Sequence, residues 1–562
     1  MRILFLTHAF NSLTQRLYVE LTRLGHEVSV EFDINDSVTI EAVDLFRPHL
    51  ILAPYLRRAI PETLWKNHLC LVLHPGIVGD RGPSALDWAI LKEEKEWGVT
   101  LLQAEAEMDA GPVWASETFP LRAAKKSSVY RNEVTEAAVR VVNTAIERLP
   151  DFLAGKWRPQ AVPQRPMHAL MRQADRAIDW ARDSTETVLA KLNAADGFPG
   201  VKDELFGHPC HLFNAHPFPA RGTPGDVLGR SDEGVVRATT DGAVRIGHVK
   251  RAGGIKLPAA AAFPEILELA ELGAESNPAA PDIRYEEADG VGYLHFDFYN
   301  GAMGTATCQR LLAAYEAARL RPTRVIVLMG GPDFFSNGLD LNRIEAADSP
   351  PDESWRNINA MDDLCRAVIE TTSHHTVAAL QGNAGAGGAF LALAADCVWA
   401  REGVILNPHY KNMGNLYGSE YWTYLLPRRV GDEAAQHIMA RRLPLGTKEA
   451  VATGFIDACF GEDVTSFQSE VRHRAAALAN APELMDYLAE KRARRAADEA
   501  AKPLAQYRAD ELAHMKRNFY GFDPSYHVAR HHFVDKTPHS WTPRHLAKHR
   551  ELGWVVPGEA EA

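Results

Sequence analysis

The sequence predicts a multidomain α/β protein, and three observations carry that prediction. The chain has 562 residues, enough for three or four domains that each bury a core. Residues 1–74 alternate apolar, strand-like runs with a helical pattern, as βαβ units do. Residues 325–397 repeat that alternation around glycine-rich turns, whereas residues 200–250 contain short strands separated by turns, which is typical of a small β-domain.

Composition excludes several classes of function. The 46% apolar and 24% charged fractions are ordinary for globular proteins, and no apolar run is long enough to span a membrane. The apolar start MRILFLTHAF is too short for a signal peptide, so we expect a cytoplasmic protein without a membrane role. The six cysteines form no C-x-x-C pair and predict neither disulfides nor zinc. A net charge of −12 argues against nucleic-acid binding.

The N-terminal part begins as a βαβ unit, with strand RILFLTH, a helix ending at Gly25 and strand EVSVEF. Apolar strands follow at Leu50–Tyr55 and Leu69–Leu73, and a further strand at Val99–Ala106. Ligands bind such sheets at the carboxyl ends of the strands. His74 and Asp109 each follow a strand and are therefore candidates for an acid–base pair, although both could equally be loop caps or turn formers.

From Met1 to about Phe263 the order of motifs resembles the 10-formyltetrahydrofolate-dependent formyltransferases of the methionyl-tRNA formyltransferase type. Their Asn-x-His…Asp signature corresponds to Val72, His74 and Asp109, so histidine and aspartate are kept and asparagine is lost. In that family the asparagine holds the formyl oxygen, which a valine side chain cannot do. Either another donor substitutes for it or the transfer is altered; the polar candidates nearby are Gln103, Asn11 and Ser84.

The same resemblance implies a binding site for 10-formyltetrahydrofolate. The pteridine would lie along the backbone of Ala53–Ile60, which includes Tyr55, and of Gln103–Asp109. Arg57 and its neighbour Arg58 would pair with the glutamate carboxylates of the folate, although surface arginines are usually only solvated.

Pro-rich and Ala/Pro/Asn-rich stretches predict linkers at Arg158–Pro166 and at about Gly273–Asp282. The region between the linkers resembles the C-terminal domain of the same formyltransferases, including the segment Ile178–Trp180. The predicted domains are a Rossmann-like formyltransferase domain (1–157), a small OB-like β-barrel (167–263), a crotonase-like domain (283–474) and a helical C-terminal extension (475–562). The extension is predicted to begin with one charged helix and to end in a histidine-rich tail without a metal site.

Two glycine-rich turns follow apolar strands in the second half, at FFSNGLDL (Phe334–Leu341) and within Ala379–Cys397. Glycine lets bare backbone N–H groups approach a ligand, and two such turns could bind a thioester carbonyl oxygen, although each alone is more often a plain tight turn. Together with PLGTKEAVATGFID they resemble the crotonase (enoyl-CoA hydratase/isomerase) family. The resemblance places the oxyanion donors on the N–H groups of Leu339 and Gly387, with Gly338 and Gly388 in the same coenzyme A-binding turns. Phe390 and His409 replace the two hydratase glutamates, which argues against ordinary hydratase activity.

A formyltransferase half followed by a crotonase half without those glutamates resembles the HypX/HoxX family of hydrogenase maturation proteins over essentially the whole chain. The resemblance implies synthesis of carbon monoxide for the Fe(CN)2CO centre of [NiFe]-hydrogenase. The formyl group of 10-formyltetrahydrofolate would pass to coenzyme A, and formyl-CoA would lose CO. The implied partners are small-molecule substrates and, transiently, other hydrogenase maturation proteins.

The family resemblance also implies an acid–base pair in the segment Asn407–Trp422, where Tyr410 and Glu420 match the expected tyrosine and glutamate. Burial beside a thioester would raise the pKa of the carboxyl and leave the pair one shared proton. His409 is the next candidate, followed by Tyr417. The alternative interpretation is that Glu420 favours the first turn of a helix and that Tyr410 only packs.

Two other functions fit the sequence. One is a formyltransferase for a small amine joined to an unrelated acyl-CoA enzyme, whose halves would stay active when cut near Asp282. The other is a non-catalytic protein that binds coenzyme A or folate, suggested by Val72, Phe390 and His409. The retained His74 and Asp109 argue against a mere binder, which would need neither.

Overall fold

The computed structural model describes residues 1–161, 166–273 and 282–552. Parts of both predicted linkers and the last ten residues lie outside this range. The chain forms two compact units, Met1–Ala279 together with Pro538–Ala562, and Ala280–Thr537. Both contain mixed helices and sheets, which confirms the predicted α/β class. None of the helices in the described ranges combines the length and apolar character needed to cross a membrane.

The first unit opens with a six-stranded sheet in the order β2-β1-β3-β4-β5-β6. Its strands are β1 (Arg2–Thr7), β2 (Glu27–Phe32), β3 (Leu50–Tyr55), β4 (Cys70–His74), β5 (Glu96–Gln103) and β6 (Val113–Pro120). The first four strands pair in parallel, and β5 pairs antiparallel with both β4 and β6. The strand predicted at Val99–Ala106 is β5, which begins and ends three residues earlier, at Glu96 and Gln103.

Helices flank this sheet and bury their apolar faces on it. They are α1 (Ser12–Arg23), α2 (Asp36–Phe46), α3 (Glu62–Trp65), α4 (Ala85–Leu91), α5 (Lys126–Val129) and α6 (Thr135–Leu153), with the π-helical turn Tyr130–Val134 between the last two. Asn11 and Asn35 begin α1 and α2, because their side chains accept the N–H groups of Thr14 and Val38 that the helices leave unpaired.

The second sheet of this unit is antiparallel, in the order β7-β8-β11-β10-β9 with β12 on β11. The strands are β7 (Val201–Leu205), β8 (His208–Phe218), β9 (Val227–Ser231), β10 (Gly234–Ala238), β11 (Ala243–Arg251) and β12 (Lys256–Pro258). Helices α7 (Thr185–Ala195) and α8 (Ala259–Ala262) pack with it around a separate apolar core. The predicted hairpin turns at Glu233-Gly234 and Asp241-Gly242 join its strands.

The second unit contains two sheets. The larger has the order β13-β14-β15-β17-β19-β22, and the smaller has the order β16-β18-β20-β21. The strands are β13 (Ile283–Ala288), β14 (Val291–Phe296), β15 (Val325–Met329), β16 (Phe334–Ser336), β17 (His375–Leu380), β18 (Asn383–Gly385), β19 (Cys397–Ala400), β20 (Ile405–Asn407), β21 (Leu445–Gly446) and β22 (Ala458–Cys459). Each predicted glycine-rich turn follows a strand of the smaller sheet.

Eleven helices surround these sheets in the described part of the unit. They are α9 (Thr305–Arg319), α10 (Leu341–Ala346), α11 (Pro350–Ile369), α12 (Gly387–Leu393), α13 (Trp422–Val430), α14 (Asp432–Arg441), α15 (Thr447–Ala452), α16 (Val464–Asn480), α17 (Leu484–Ala501), α18 (Leu504–Tyr520) and α19 (Ser525–Asp535). The single charged helix expected here is wrong: α17 ends at Ala501 and α18 begins at Leu504, because Pro503 lacks an amide proton and restricts Lys502 to an extended conformation.

The C-terminal segment belongs to the first unit, where it covers the edge strand β2. The N–H of Val30 donates to the carbonyl of Leu546, and the N–H of Phe32 donates to Oγ1 of Thr542. The fully buried His549, in α20 (His549–Leu552), contacts Oε2 of the fully buried Glu31 at 2.8 Å. The C-terminal segment thus supplies hydrogen-bond acceptors for backbone N–H groups of β2 that would otherwise be exposed at the edge of the sheet.

Candidate functional site

His74 ends β4 in the first unit and lies between two carboxyl groups. Its Nδ1 is 3.6 Å from Oδ2 of Asp109, so the structure brings the two predicted residues together. Its Nε2 is closer to Asp80, with 2.8 Å to Oδ2. Asp109 has a positive φ of 53° and accepts the N–H of Gly82 at 3.0 Å, which fixes its carboxyl group at the loop.

Asp80 was not predicted, yet it is the closest partner of His74. Its side chain is buried, and its second oxygen is 3.1 Å from Nε2 of His168. Gly76 makes this arrangement possible, because a methyl group at that position would lie 2.4 Å from Nε2 of His74 and 2.6 Å from the Asp80 carboxyl. The turn therefore closes tightly over the contact between histidine and aspartate.

The other residues predicted for the folate site lie around the same strand ends. Ala53 is buried in β3 beside Val72 of β4, and Tyr55 ends β3. The backbone N–H of Arg57 donates to Asp33 at 3.1 Å, and its guanidinium donates to the Tyr55 hydroxyl at 3.3 Å.

The three candidates for replacing the lost asparagine already have structural contacts. Gln103 accepts the indole N–H of Trp114 at 3.3 Å. Asn11 caps α1 and lies 3.4 Å from the hydroxyl of Tyr130. Ser84 accepts the N–H of Met171 at 3.4 Å. These contacts single out none of the three as the missing donor.

In the second unit, β16 and β18 pair in parallel, so their two glycine-rich turns leave the same edge of one sheet. A methyl group on Gly338 would lie 3.3 Å from the backbone nitrogen of Gly387, which shows how close the turns approach. Within the described part of the chain, neither the N–H of Leu339 nor that of Gly387 donates a hydrogen bond. Two backbone donors this close together can bind one ligand oxygen.

Glycine is required in these turns for two reasons. Gly338 has a φ of +76°, and a methyl group on Gly388 would lie 2.1 Å from the carbonyl oxygen of Ser336. At Gly387 a methyl group would instead lie 2.0 Å from Oε1 of Glu420. The carboxyl group of Glu420 therefore lies directly beside one of the two donors.

Tyr410 and Glu420 are in contact, as the sequence predicted. The hydroxyl of Tyr410 is 2.6 Å from Oε2 of Glu420, and both side chains are buried. The Tyr410 ring stacks on Phe390, with centroids 5.6 Å apart, so Phe390 packs the tyrosine in place. A methyl group on Gly418 would lie 2.1 Å from that ring, so only glycine leaves room for it.

The two lower-ranked candidates have different surroundings. His409 is buried next to Tyr410 in the chain. Tyr417 stacks on His514 with ring centroids 4.0 Å apart and also contacts Trp422.

The alternative explanation of Glu420 as a helix-stabilising acid is wrong. Helix α13 begins at Trp422, and Glu420 and Tyr421 precede it with φ values of +58° and +59°. Left-handed conformations cost non-glycine residues about 1–3 kcal/mol each and cluster at functional sites.

Two further carboxyl groups, Asp362 and Glu511, lie behind Glu420 and are fully buried. Burial raises the pKa of Asp362 to about 7 and that of Glu420 and Glu511 to about 8. Repulsion from Asp362 adds to the effect of burial at both glutamates. The sequence did not reveal Asp362 and Glu511, because each lies in a helix with an ordinary pattern. Asp80 could have been noticed as an acid in the turn just after His74.

Comparisons with known proteins agree with this two-part architecture. Residues 170–265 match the family model of the formyl transferase C-terminal domain, and residues 286–544 match that of enoyl-CoA hydratase/isomerase. The chain is 29% identical over 229 residues to a methionyl-tRNA formyltransferase from Ralstonia nicotianae, covering 40% of this chain and 70% of that protein.

Two relatives match along the whole chain. The hydrogenase maturation factor HoxX from Bradyrhizobium diazoefficiens is 55% identical over 557 residues, covering 98% of this chain and 97% of that protein. The crystal structure of HypX from Aquifex aeolicus in complex with tetrahydrofolic acid superposes with a TM-score of 0.95 at 49% identity, covering 99% of this chain and 100% of that one.

Proposed function

The chain belongs to the family of the hydrogenase maturation factor HoxX, and on that premise we propose that it makes carbon monoxide for the Fe(CN)2CO centre of [NiFe]-hydrogenase. The first unit transfers the formyl group of 10-formyltetrahydrofolate to coenzyme A. The second unit splits formyl-CoA into CO and coenzyme A. The tetrahydrofolate bound to the HypX relative supports the first step.

In the first step His74 moves the proton of the attacking thiol, and Asp109 orients the imidazole. The 3.6 Å separation of Nδ1 and Oδ2 supports this assignment. Asp80 holds the opposite nitrogen at 2.8 Å and fixes the ring plane from the other side. Ala53, Tyr55, Arg57 and Gln103 surround the folate. The domain boundaries predicted from the sequence (1–157, 167–263, 283–474 and 475–562) belong to the same proposal.

In the second step the N–H groups of Leu339 and Gly387 bind the thioester carbonyl oxygen, with Gly338 and Gly388 shaping the turns. The carbon–sulfur bond breaks with its electron pair going to sulfur, and the formyl carbon–hydrogen bond breaks with its pair staying on carbon. The carboxylate of Glu420 takes the formyl proton, and the Glu420–Tyr410 pair returns a proton to the sulfur. Formyl-CoA thus gives CO and the free thiol without net proton change.

The observation that carries this proposal is the 2.6 Å contact between Tyr410 and Glu420 directly beside Gly387. A buried acid–base pair beside this donor can reach the formyl hydrogen of a thioester whose carbonyl oxygen binds there. Phe390 has no proton to exchange, so a hydratase mechanism with two carboxylates is not available here. His409 stays the second candidate for the base.

The test supplies purified protein with 10-formyltetrahydrofolate and coenzyme A and detects CO with a haem reporter. We expect CO only when both substrates are present, and CO from synthetic formyl-CoA without folate. Glu420→Gln and Tyr410→Phe should stop CO release from formyl-CoA but leave formyl transfer intact. Formylated small amines and no CO would favour the alternative bifunctional enzyme. Full CO release by both variants would transfer the role to His409 or to an unassisted thioester.

A further inference from the structure

The loop that carries Glu420 has an unusual pattern of hydrogen bonds. Because Glu420 and Tyr421 are left-handed, this backbone cannot pair as a helix or a strand. Its N–H groups donate to side chains instead. They are the N–H groups of Tyr417, Gly418, Ser419, Glu420 and Tyr421, together with that of Thr423 in the first turn of α13.

Helix α18 provides most of these acceptors from one face. Glu511, Met515 and Asn518 are spaced four and three residues apart, so their side chains point to the same side of the helix. Asn518 accepts from Tyr417, Met515 sulfur from Gly418, and Glu511 from the backbone of Tyr421 and Thr423. The C-terminal extension, which was predicted to begin as a charged helix, therefore supports the candidate catalytic loop.

Asp362 of α11 holds the centre of the loop. Its Oδ1 accepts the N–H of Glu420 at 2.8 Å, and its Oδ2 is 3.0 Å from Oγ of Ser419. The same Oγ is 3.2 Å from Oε2 of Glu511. One serine hydroxyl thus bridges two buried carboxyl groups.

The two carboxyl groups have further contacts that fix them in place. Three more donors point at the oxygens of Glu511: the N–H of Tyr421, and both the N–H and the hydroxyl of Thr423. Nε of Arg508 lies 3.6 Å from Oδ2 of Asp362. The loop is therefore bound to two buried acids that belong to helices α11 and α18.

We propose that Asp362 and Glu511 are positioning residues of the CO-releasing site, which together hold the left-handed loop and aim Glu420 at Tyr410. This inference rests on the proposed function and adds residues that act through Glu420. The charged or titratable groups around Glu420 are then Tyr410, Asp362, Glu511, Arg508, Cys308 and Cys365.

The hydrogen bonds predict different outcomes for two amide substitutions. Asp362→Asn keeps an oxygen that accepts the N–H of Glu420 and places its N–H₂ group beside the hydroxyl of Ser419, which can accept as well as donate. Glu511→Gln must place its N–H₂ group against a backbone N–H, because each oxygen of Glu511 accepts one. We expect Asp362→Asn to keep CO release from formyl-CoA within about threefold, and Glu511→Gln to lower the maximal rate about tenfold or more with little change in KM.

Matched variants separate positioning from general charge loss. Asp510→Asn removes an exposed carboxyl group next to Glu511 and should leave the rate unchanged. Asp362→Ala, which can neither donate nor accept, should lose activity that Asp362→Asn retains. If Glu511→Gln does not fold, Ser419→Ala removes the bridging hydroxyl and should lower the rate several-fold.

The melting temperature gives a readout that does not depend on CO release. Glu511→Gln should melt below the wild type and Asp362→Asn close to it, whether or not the protein splits formyl-CoA. Absence of CO from the wild type would refute the proposed function but would leave this comparison valid. The reverse order, with Asp362→Asn impaired in rate and melting and Glu511→Gln tolerated, would overturn the hydrogen-bond roles given to the two residues. Normal rates for both Asp362→Ala and Glu511→Gln would overturn the positioning role.

Discussion

The pH dependence of CO release tests the proposed base most directly. Burial, with repulsion from Asp362 and Glu511, raises the pKa of Glu420 from 4.5 to about 8, so at pH 7 the carboxyl is mostly protonated. Only the ionised form can accept the formyl proton. With a pKa near 8, about one tenth of the molecules carry that form at pH 7 and nearly all carry it above about pH 9. CO release should therefore rise about tenfold over this interval and then level off.

Tyr410 supplies the internal check on this profile. Its hydroxyl, 2.6 Å from Oε2, stabilises the charged carboxylate and so opposes the effect of burial on the Glu420 pKa. Any residual activity of Tyr410→Phe should accordingly rise at higher pH than that of the wild type. The assay mixes protein with formyl-CoA in haem-containing buffers from about pH 6 to about pH 9.5 and follows carboxyhaem formation. A flat profile, or one that falls as pH rises, would refute Glu420 as the base.

Three further outcomes are expected. Asp80→Asn should slow folate-dependent formyl transfer by tenfold or more, on the order expected for a charged partner 2.8 Å from His74, while CO release from supplied formyl-CoA stays normal. Glu420→Gln should raise the melting temperature more at pH 8 than at pH 5. Because the pKa of Glu420 is raised in the folded state, the wild-type protein loses stability as pH rises from about 4.5 to 8, and the glutamine variant does not. Equal shifts of the melting temperature at both pH values would contradict this. Deleting residues 541–552 should speed hydrogen exchange in β2 but not in β4, and unchanged exchange in β2 would show that the segment does not protect it.

Much of the architecture could be predicted from local sequence. The strand at Leu50–Tyr55 was predicted with its observed ends, because a run of apolar residues bounded by polar ones marks a buried parallel strand. His74 and Asp109 do meet, but for a different reason than predicted: β5 is antiparallel to β4, so Gln103 at its end lies beside Leu71, and Asp109 reaches His74 from the loop that follows β5. Tyr410 and Glu420 were paired through a family resemblance, and the structure shows them in contact.

Contacts between distant parts of the chain were not predictable in this way. Glu511 lies 90 residues from Tyr421, inside a helix whose surface carries many other charges, so nothing local marks it as buried. The closeness of Asp80 to His74 depends on a turn whose path is set by the small size of Gly76. Sequence periodicity reports which face of a helix is apolar, but it does not report which loop will place its N–H groups on the other face.

The covering of β2 by the C-terminal segment has a consequence for synthesis of the protein. Glu31 and its partner His549 are 518 residues apart, so the strand leaves the ribosome long before its cover exists. At roughly 5–20 residues per second, the edge waits about half a minute to nearly two minutes. Over that time the nascent chain exposes to water the unpaired edge of β2 and the carboxylate of Glu31, which is buried in the folded protein. Completion of the first unit is thereby coupled to synthesis of the segment around His549, and a chain that stops before it carries an open edge that proteases and chaperones can recognise.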